Sequence, residues 1–212
     1  MIELKGLVTA SIAQALDLRL NLDPVTVISS ANPELASGVL NAVVGLDRIQ
    51  SGSIELDGLP LSEVLDREAL PKTFGYVFAG GIMLSNLNLR ENLLLPYSLV
   101  AEEEGYEVFD REAAKWMDAF QLKVDLSLRP AFVRASDLKL LSLVRALIFN
   151  PRILLLDDPY YLLSQEQRKH CLRVLQSIRS EHQMLISSRD DDFCHGFNAE
   201  LVDLSEDSSA IS

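Results

Sequence analysis

Two adjacent carboxylates, Asp157 and Asp158, close the unbroken apolar run Ile153-Leu154-Leu155-Leu156. Beyond the end of a buried parallel strand, paired acids are where a magnesium ion and an attacking water are handled, so metal-assisted phosphoryl chemistry is the first candidate. A second polar stretch, Asn32-Pro33-Glu34, reads as a helix start: a side-chain cap, a proline at the first position and an acid in the first turn. Its residues oppose anion binding, since Pro33 has no N–H to donate and Glu34 is negative. No lysine or arginine occurs between Arg19 and Arg48. Cys171 and Cys194 have no close pairing motif, which argues against a disulfide framework and fits a reducing compartment.

The elements that must position these groups follow from periodicity. Leu140, Leu143, Val144 and Leu147 recur at helical spacing, and Asn150-Pro151 stops that helix. The four apolar residues that follow show no alternation, as expected of a parallel strand covered on both faces. Upstream, Ile2 to Val8 and Leu16 to Leu22 read as strands, Asp23-Pro24 as a turn, and Val25 to Ile28 as a short buried strand. Leu40, Val43 and Val44 carry the Asn32-capped helix to Gly45, and Ser53 to Leu56 is another strand. Downstream, Ser164 and Gln167 form a capping box, and Cys171, Val174, Leu175 and Ile178 give the helix one apolar face. Met184 to Ser188 is the next strand, and His195 reads as a surface histidine.

At 212 residues, without a Pro/Gly/Ser-rich linker, the chain suits one domain over 1–212. A net charge of −12 opposes binding to nucleic acid or anionic lipid. The acidic runs Glu102-Glu103-Glu104 and Asp190-Asp191-Asp192 read as solvated surface, and 203–212 as an acidic, flexible tail. No apolar run approaches bilayer-spanning length and no leader is visible, so any membrane role is expected through a partner.

Val144-Arg145-Ala146-Leu147 through Asn150-Pro151 to Asp157-Asp158-Pro159 resembles the Walker B region of ABC-transporter ATPases. Gly45-Leu46, Ser51-Gly52-Ser53-Ile54 with Asp57-Gly58, and Phe74-Gly75-Tyr76-Val77-Phe78 resemble other landmarks of that family in register. The resemblance implies an α/β fold: a P-loop-NTPase-like cassette with a mainly parallel sheet core, N-terminal antiparallel strands and a helical subdomain near 85–142. It assigns Asp157 and Asp158 as catalytic remnants, Asn32 and Ser37 as phosphate-loop remnants, and Ser37 with Asp157 as metal ligands if magnesium binds. The wording of Gly80 to Pro96 looks most like ATPases of lipid-trafficking transporters of the mammalian-cell-entry type. There Ile82, Met83 and Leu87 are the candidate contacts to a membrane permease subunit.

The departures from the family pattern are as informative. The phosphate loop falls on Ser30 to Ser37, where glycines are replaced by Ser30, Pro33 and Leu35 and the lysine by Ala36. Ala79 stands for the glutamine, Val133-Arg134-Ala135-Ser136-Asp137 for the signature, with Asp137 expected to present charge to a partner's phosphate. Asp158 stands for the catalytic glutamate, Ser164 for the dimer-contacting aspartate, Arg189 for the switch histidine, and no aromatic residue precedes Phe74 to stack an adenine. Two readings follow. In the first, the chain is a catalytically degenerate cassette, cytoplasmic and peripheral on the membrane, that holds no cofactor. It serves as structural or regulatory partner of a permease, or pairs with a competent ATPase subunit. In the second it is a weak Mg-ATP-binding ATPase that energises a transporter, or a pocket reused for another ligand.

Overall fold

The structure is a computed structural model and describes residues 1–64, 69–96, 105–197 and 199–204. Alternating side chains send Ile2 and Leu4 of β1 (Ile2–Val8), and Leu16, Leu18 and Leu20 of β2 (Leu16–Leu20), to one buried face. After β3 (Val25–Ser29) and helix α1 (Pro33–Val43), β4 (Ser51–Leu56) and β5 (Leu59–Pro60) complete an antiparallel sheet in the order β2-β1-β4-β5. Short helices α2 (Leu61–Val64) and α3 (Leu70–Thr73) lead to β6 (Phe74–Val77).

Helices α4 (Leu89–Leu94), α5 (Gly105–Ala119) and α6 (Ala135–Ile148) follow, then β7 (Ile153–Asp157), α7 (Gln165–Ser177), β8 (Gln183–Ser187), α8 (Asp191–Phe197) and β9 (Glu200–Asp203). The second sheet has five parallel strands in the order β6-β7-β8-β3-β9. Every residue of β7 is buried because the sheet is covered on both sides. Leu154, Leu156 and Ile186 pack with Phe109, Trp116 and Leu143, whereas Ile153, Leu155 and Leu185 pack with Val39, Leu40 and the antiparallel sheet. This is the α/β cassette architecture that the sequence implies.

Two expectations need adjustment. The segment read as an acidic tail begins inside the fold: Asp203 pairs with Ser29 at the end of β9, and Leu204 is buried with its N–H donating to the Ser29 carbonyl at 2.8 Å. Residues 205–212 lie outside those described. The acidic run at 190–192 opens α8 rather than simply facing water. Asp190 accepts the Phe193 N–H at 3.0 Å and pairs with Arg168 at 3.0 Å, while Asp191 and Asp192 occupy the helix's first turn, where the dipole favours negative charge. The run at 102–104 lies outside the described residues.

Candidate functional site

The carboxyl ends of β3, β7 and β8 converge on the start of α1 and enclose a cavity of about 180 Å³. Ser37, Ala79, Asp157, Asp158, Ser187 and Arg189 are among its lining residues. Asp157 ends β7 opposite Ser187 in register, so its carboxylate meets the side chains of the neighbouring strand and of α1. Its Oδ1 accepts hydrogen bonds from Ser37 Oγ at 2.8 Å and Ser187 Oγ at 2.6 Å. A carboxylate and a serine hydroxyl in contact are hard oxygen donors of the kind magnesium takes, with phosphate oxygens and water filling the remaining positions. This half of the site fits the metal, and no three-acid cluster is needed.

Asp158 follows with φ 38, in the left-handed region that aspartate tolerates better than most side chains. Its N–H donates to the Ser187 carbonyl at 3.0 Å, tying it to β8. Burial raises the pKa of its carboxyl, opposed by the nearby Lys139 ammonium and reinforced by Asp157 and Asp190.

The phosphate side fits less well. Asn32 caps α1, its Oδ1 accepting the Glu34 N–H at 3.0 Å, and its carbonyl accepts the Leu35 N–H at 3.1 Å. The Asn32 N–H itself donates to Ser30 Oγ at 3.1 Å. Donors that would wrap a phosphate are therefore satisfied locally, and Pro33 has none. Ala36 is buried, with no charge to offer. Asn32 is thus a helix cap, and Ser37, one turn into α1, is the residue that reaches Asp157.

Lys139 is the residue that sequence reasoning missed. It is 0% exposed, and its Nζ donates to the Phe78 carbonyl at 2.8 Å and the Asp157 carbonyl at 2.9 Å. Burial pushes its pKa down to about 8, against the opposing pull of Asp157, Asp158 and Cys171. Its helical spacing contained the signal: Leu143 and Ala146, four and seven positions on, are core residues, so position 139 shares their inward face.

Around this centre, the outlying candidates separate. Asp137 is buried and accepts from Arg134 Nε at 3.0 Å and Gln167 Nε2 at 3.2 Å, so it does not present an outward charge as expected. The exposed Arg134 guanidinium covers it from the solvent side, and the amide of the α7 capping-box residue bonds its other oxygen. Arg189 lines the cavity from an exposed position. His195 is exposed on α8 with Nδ1 at 2.7 Å from the Asp191 carbonyl, away from the cavity lining. The Cys171 thiol lies wholly in the core, where burial raises its pKa to about 12.

The segment carrying Ile82, Met83 and Leu87 is held by buried Asn92, whose Oδ1 accepts the Leu84 N–H at 2.6 Å and whose Nδ2 donates to the Leu84 and Asn88 carbonyls. Ile82 is exposed, Met83 and Leu87 half-buried. Arg145 joins Ile82, through its carbonyl at 3.0 Å, to an apolar groove of about 450 Å³ lined by Val44, Leu46, Tyr76, Phe78 and Leu95.

A magnesium-type acid and hydroxyl set at the switch point of a parallel sheet, flanked by an antiparallel sheet and helices, defines a nucleotide-handling cassette. The chain belongs to the ABC transporter family, whose pattern matches residues 14–161. It is similar to the molybdenum import ATP-binding protein ModC of Paramagnetospirillum magneticum, at 30% identity over 74% of this chain and 43% of that protein. A lipoprotein-releasing system ATP-binding protein, LolD 1 of Rhodopirellula baltica, is 24% identical over 77% of this chain and 79% of its own. The chain spans less than half the length of the ModC relatives. In fold it matches the dimeric ATP-binding cassette MJ0796 bound to ADP and Pi, with TM-score 0.80, 19% identity and coverage of 97% of this chain and 94% of that one. The expectation that no cofactor is held is corrected by these findings. Family membership and relatives named as ATP-binding proteins make nucleotide the ligand to expect. Ser37 and Ser187 both contact Asp157 at the cavity.

Proposed function

We propose that this chain is the ATP-binding subunit of a membrane transporter, holding Mg-ATP weakly and turning it over slowly. Nucleotide then acts more as a structural or regulatory ligand of the assembly than as a fast source of work. The observation that carries this reading is the contrast within one cavity. Asp157 meets Ser37 and Ser187 in a set suited to magnesium, while Asn32 and Ser30 occupy the N–H groups that would wrap phosphate. Each lost charged hydrogen bond removes roughly 1.5–3 kcal/mol, or about one to two powers of ten in affinity. Asp157 and Ser37 would hold the metal, which supplies charge neutralisation of the phosphates. Asp158 sits where an acid orients water, one methylene short of the family's glutamate.

The membrane partner is a permease subunit whose helix lies in the apolar groove between Val44 and Leu95, with exposed Ile82 linked to it through Arg145. The chain acts as one cassette whose helical subdomain is built on α4, α5 and the start of α6. The cytoplasmic face of the membrane is the location this implies. Lipid is the cargo class supported by the wording of Gly80 to Pro96 and by a relative named for lipoprotein release. The test is calorimetric titration of Mg-ATP together with phosphate-release kinetics, alone and with the co-purified membrane subunit. Weak binding with slow release supports the proposal. Tight binding with rapid release contradicts the slow-turnover reading, and no binding in either state contradicts the nucleotide reading.

A further inference from the structure

An ammonium buried against the backbone of Asp157, where β7 ends in two acids, is costly unless it does something that a neutral side chain cannot. Lys139 reaches its place from α6, and two backbone carbonyls hold it, one just past the carboxyl end of β6 and one at the end of β7. The approach depends on Gly81, at φ 61: a Cβ there would lie 2.6 Å from the Lys139 Cα and 2.7 Å from its backbone nitrogen. The chain after β6 therefore packs directly on the first turn of α6, bringing the Phe78 carbonyl within reach of Nζ. The ionisable groups interacting with Lys139 are Asp157, Asp158 and Cys171, and the thiol is neutral at physiological pH. Its electrostatic partners at the site are thus the two acids.

We propose that Lys139 is a built-in counter-ion of the Asp157–Asp158 pair. From within the protein it cancels part of the negative potential that draws a divalent cation, and it keeps the acids assembled before any metal arrives. Lys139 is a positioning residue, since it does not line the cavity that faces a ligand. The site consequently has a low appetite for divalent metal by itself and binds nucleotide with weak dependence on magnesium. The second consequence rests on the ATP-binding reading above; the first does not.

The two are separated by a metal titration without nucleotide. Mn²⁺ binding, followed by electron paramagnetic resonance, is compared in wild type, Lys139→Gln and the double variant Lys139→Gln/Asp158→Asn. Glutamine is one side-chain atom shorter than lysine but keeps an amide N–H donor for the two carbonyls, and it removes the charge. Lys139→Gln is expected to bind Mn²⁺ about tenfold more tightly than wild type, the size of one charge interaction screened by protein. The double variant, having lost one charge of each sign, returns to the wild-type level. Equal affinity in wild type and Lys139→Gln overturns the proposal. Should Lys139→Gln not fold, Asp158→Asn against the double variant decides: the single variant is expected to bind more weakly by about the same factor, and equality overturns the proposal. ATP titrations in magnesium and in chelator complete the set, the ratio of the two affinities being expected to rise in Lys139→Gln. A wild type that binds ATP in neither buffer sinks the nucleotide reading while the Mn²⁺ result still decides the role of Lys139.

Discussion

At Lys139 the site is maintained against the protein's own stability. Burial lowers the folded-state pKa to about 8 from 10.5, so between those values the unfolded chain binds the extra proton. Unfolding free energy should therefore rise with pH across that window, and the advantage is lost as pH falls through 8. The shift corresponds to about 3 kcal/mol. Lys139→Met, whose side chain has no proton to hold, should lack this rise. Urea melts of both proteins at pH 7 and pH 10.5 measure it, and parallel pH dependence would contradict the assignment. Asp158 works in the other direction. Its folded carboxyl pKa is raised, so it favours folding below the ordinary carboxylate range and loses that contribution as pH rises through the folded value. Neither residue is placed for stability alone, a pattern common where charge serves a site.

Among the elements, α1 decides how much of the phosphate chemistry survives. Its start is a good helix start, with Asn32 capping and Pro33 at the first position, and a good start closes the donors that a phosphate needs. Ala36→Lys alone adds a cation to a loop that still lacks those donors. The expected gain in Mg-ATP affinity is less than about tenfold, below the roughly one to two powers of ten that a well-made charged contact gives. Replacing Ser30 through Ala36 as a block with a glycine-rich, lysine-bearing loop should gain about a hundredfold or more, since several contacts return together. Calorimetry on the three proteins separates the cases, and a large gain from Ala36→Lys alone would place the defect in the missing charge rather than the backbone. The junction of β6 with α6 is the second critical element. Gly81→Ala should cost about 1–3 kcal/mol, because a Cβ at positive φ meets the Lys139 backbone; a stability within error of wild type would show that the junction yields.

For the whole molecule, the proposed contact with a membrane subunit falls on an exposed apolar face. Leu46 and Ile82 are exposed at 59% and 53%, Leu46 lining the apolar groove and Ile82 linked to it through Arg145. Leu46→Glu and Ile82→Glu are expected to reduce capture of the co-expressed membrane subunit by about tenfold or more, the loss of one apolar contact plus the burial of a charge. Their thermal melting should stay near wild type, since neither side chain is in the core. Capture unchanged by both would move the docking site elsewhere. Composition fits this arrangement: at −12 the chain gains nothing from an anionic membrane surface, and no helix among the described residues is long and apolar enough to cross one.

The sequence by itself determined what depends on local pattern. Apolar runs with no alternation made the parallel core strands, Asn32-Pro33-Glu34 and Ser164-Gln167 made two capped helices, and the paired acids marked the sheet end. These are readable because periodicity and capping act within a few residues. Tertiary structure alone decided what depends on distant partners. Ser37 and Ser187 reach Asp157 from 120 and 30 positions away, and Lys139 spans 61 positions to the Phe78 carbonyl. Asp203 and Leu204, read as the start of an acidic tail, are tied to the end of β3, a strand near the other end of the chain. Asp137, read from sequence as a charge presented to a partner's phosphate, is buried in this chain with its carboxylate bonded to Arg134 and Gln167. A side chain's charge is legible in sequence, but whether it faces water, a metal or a buried counter-charge is fixed only when separate elements pack.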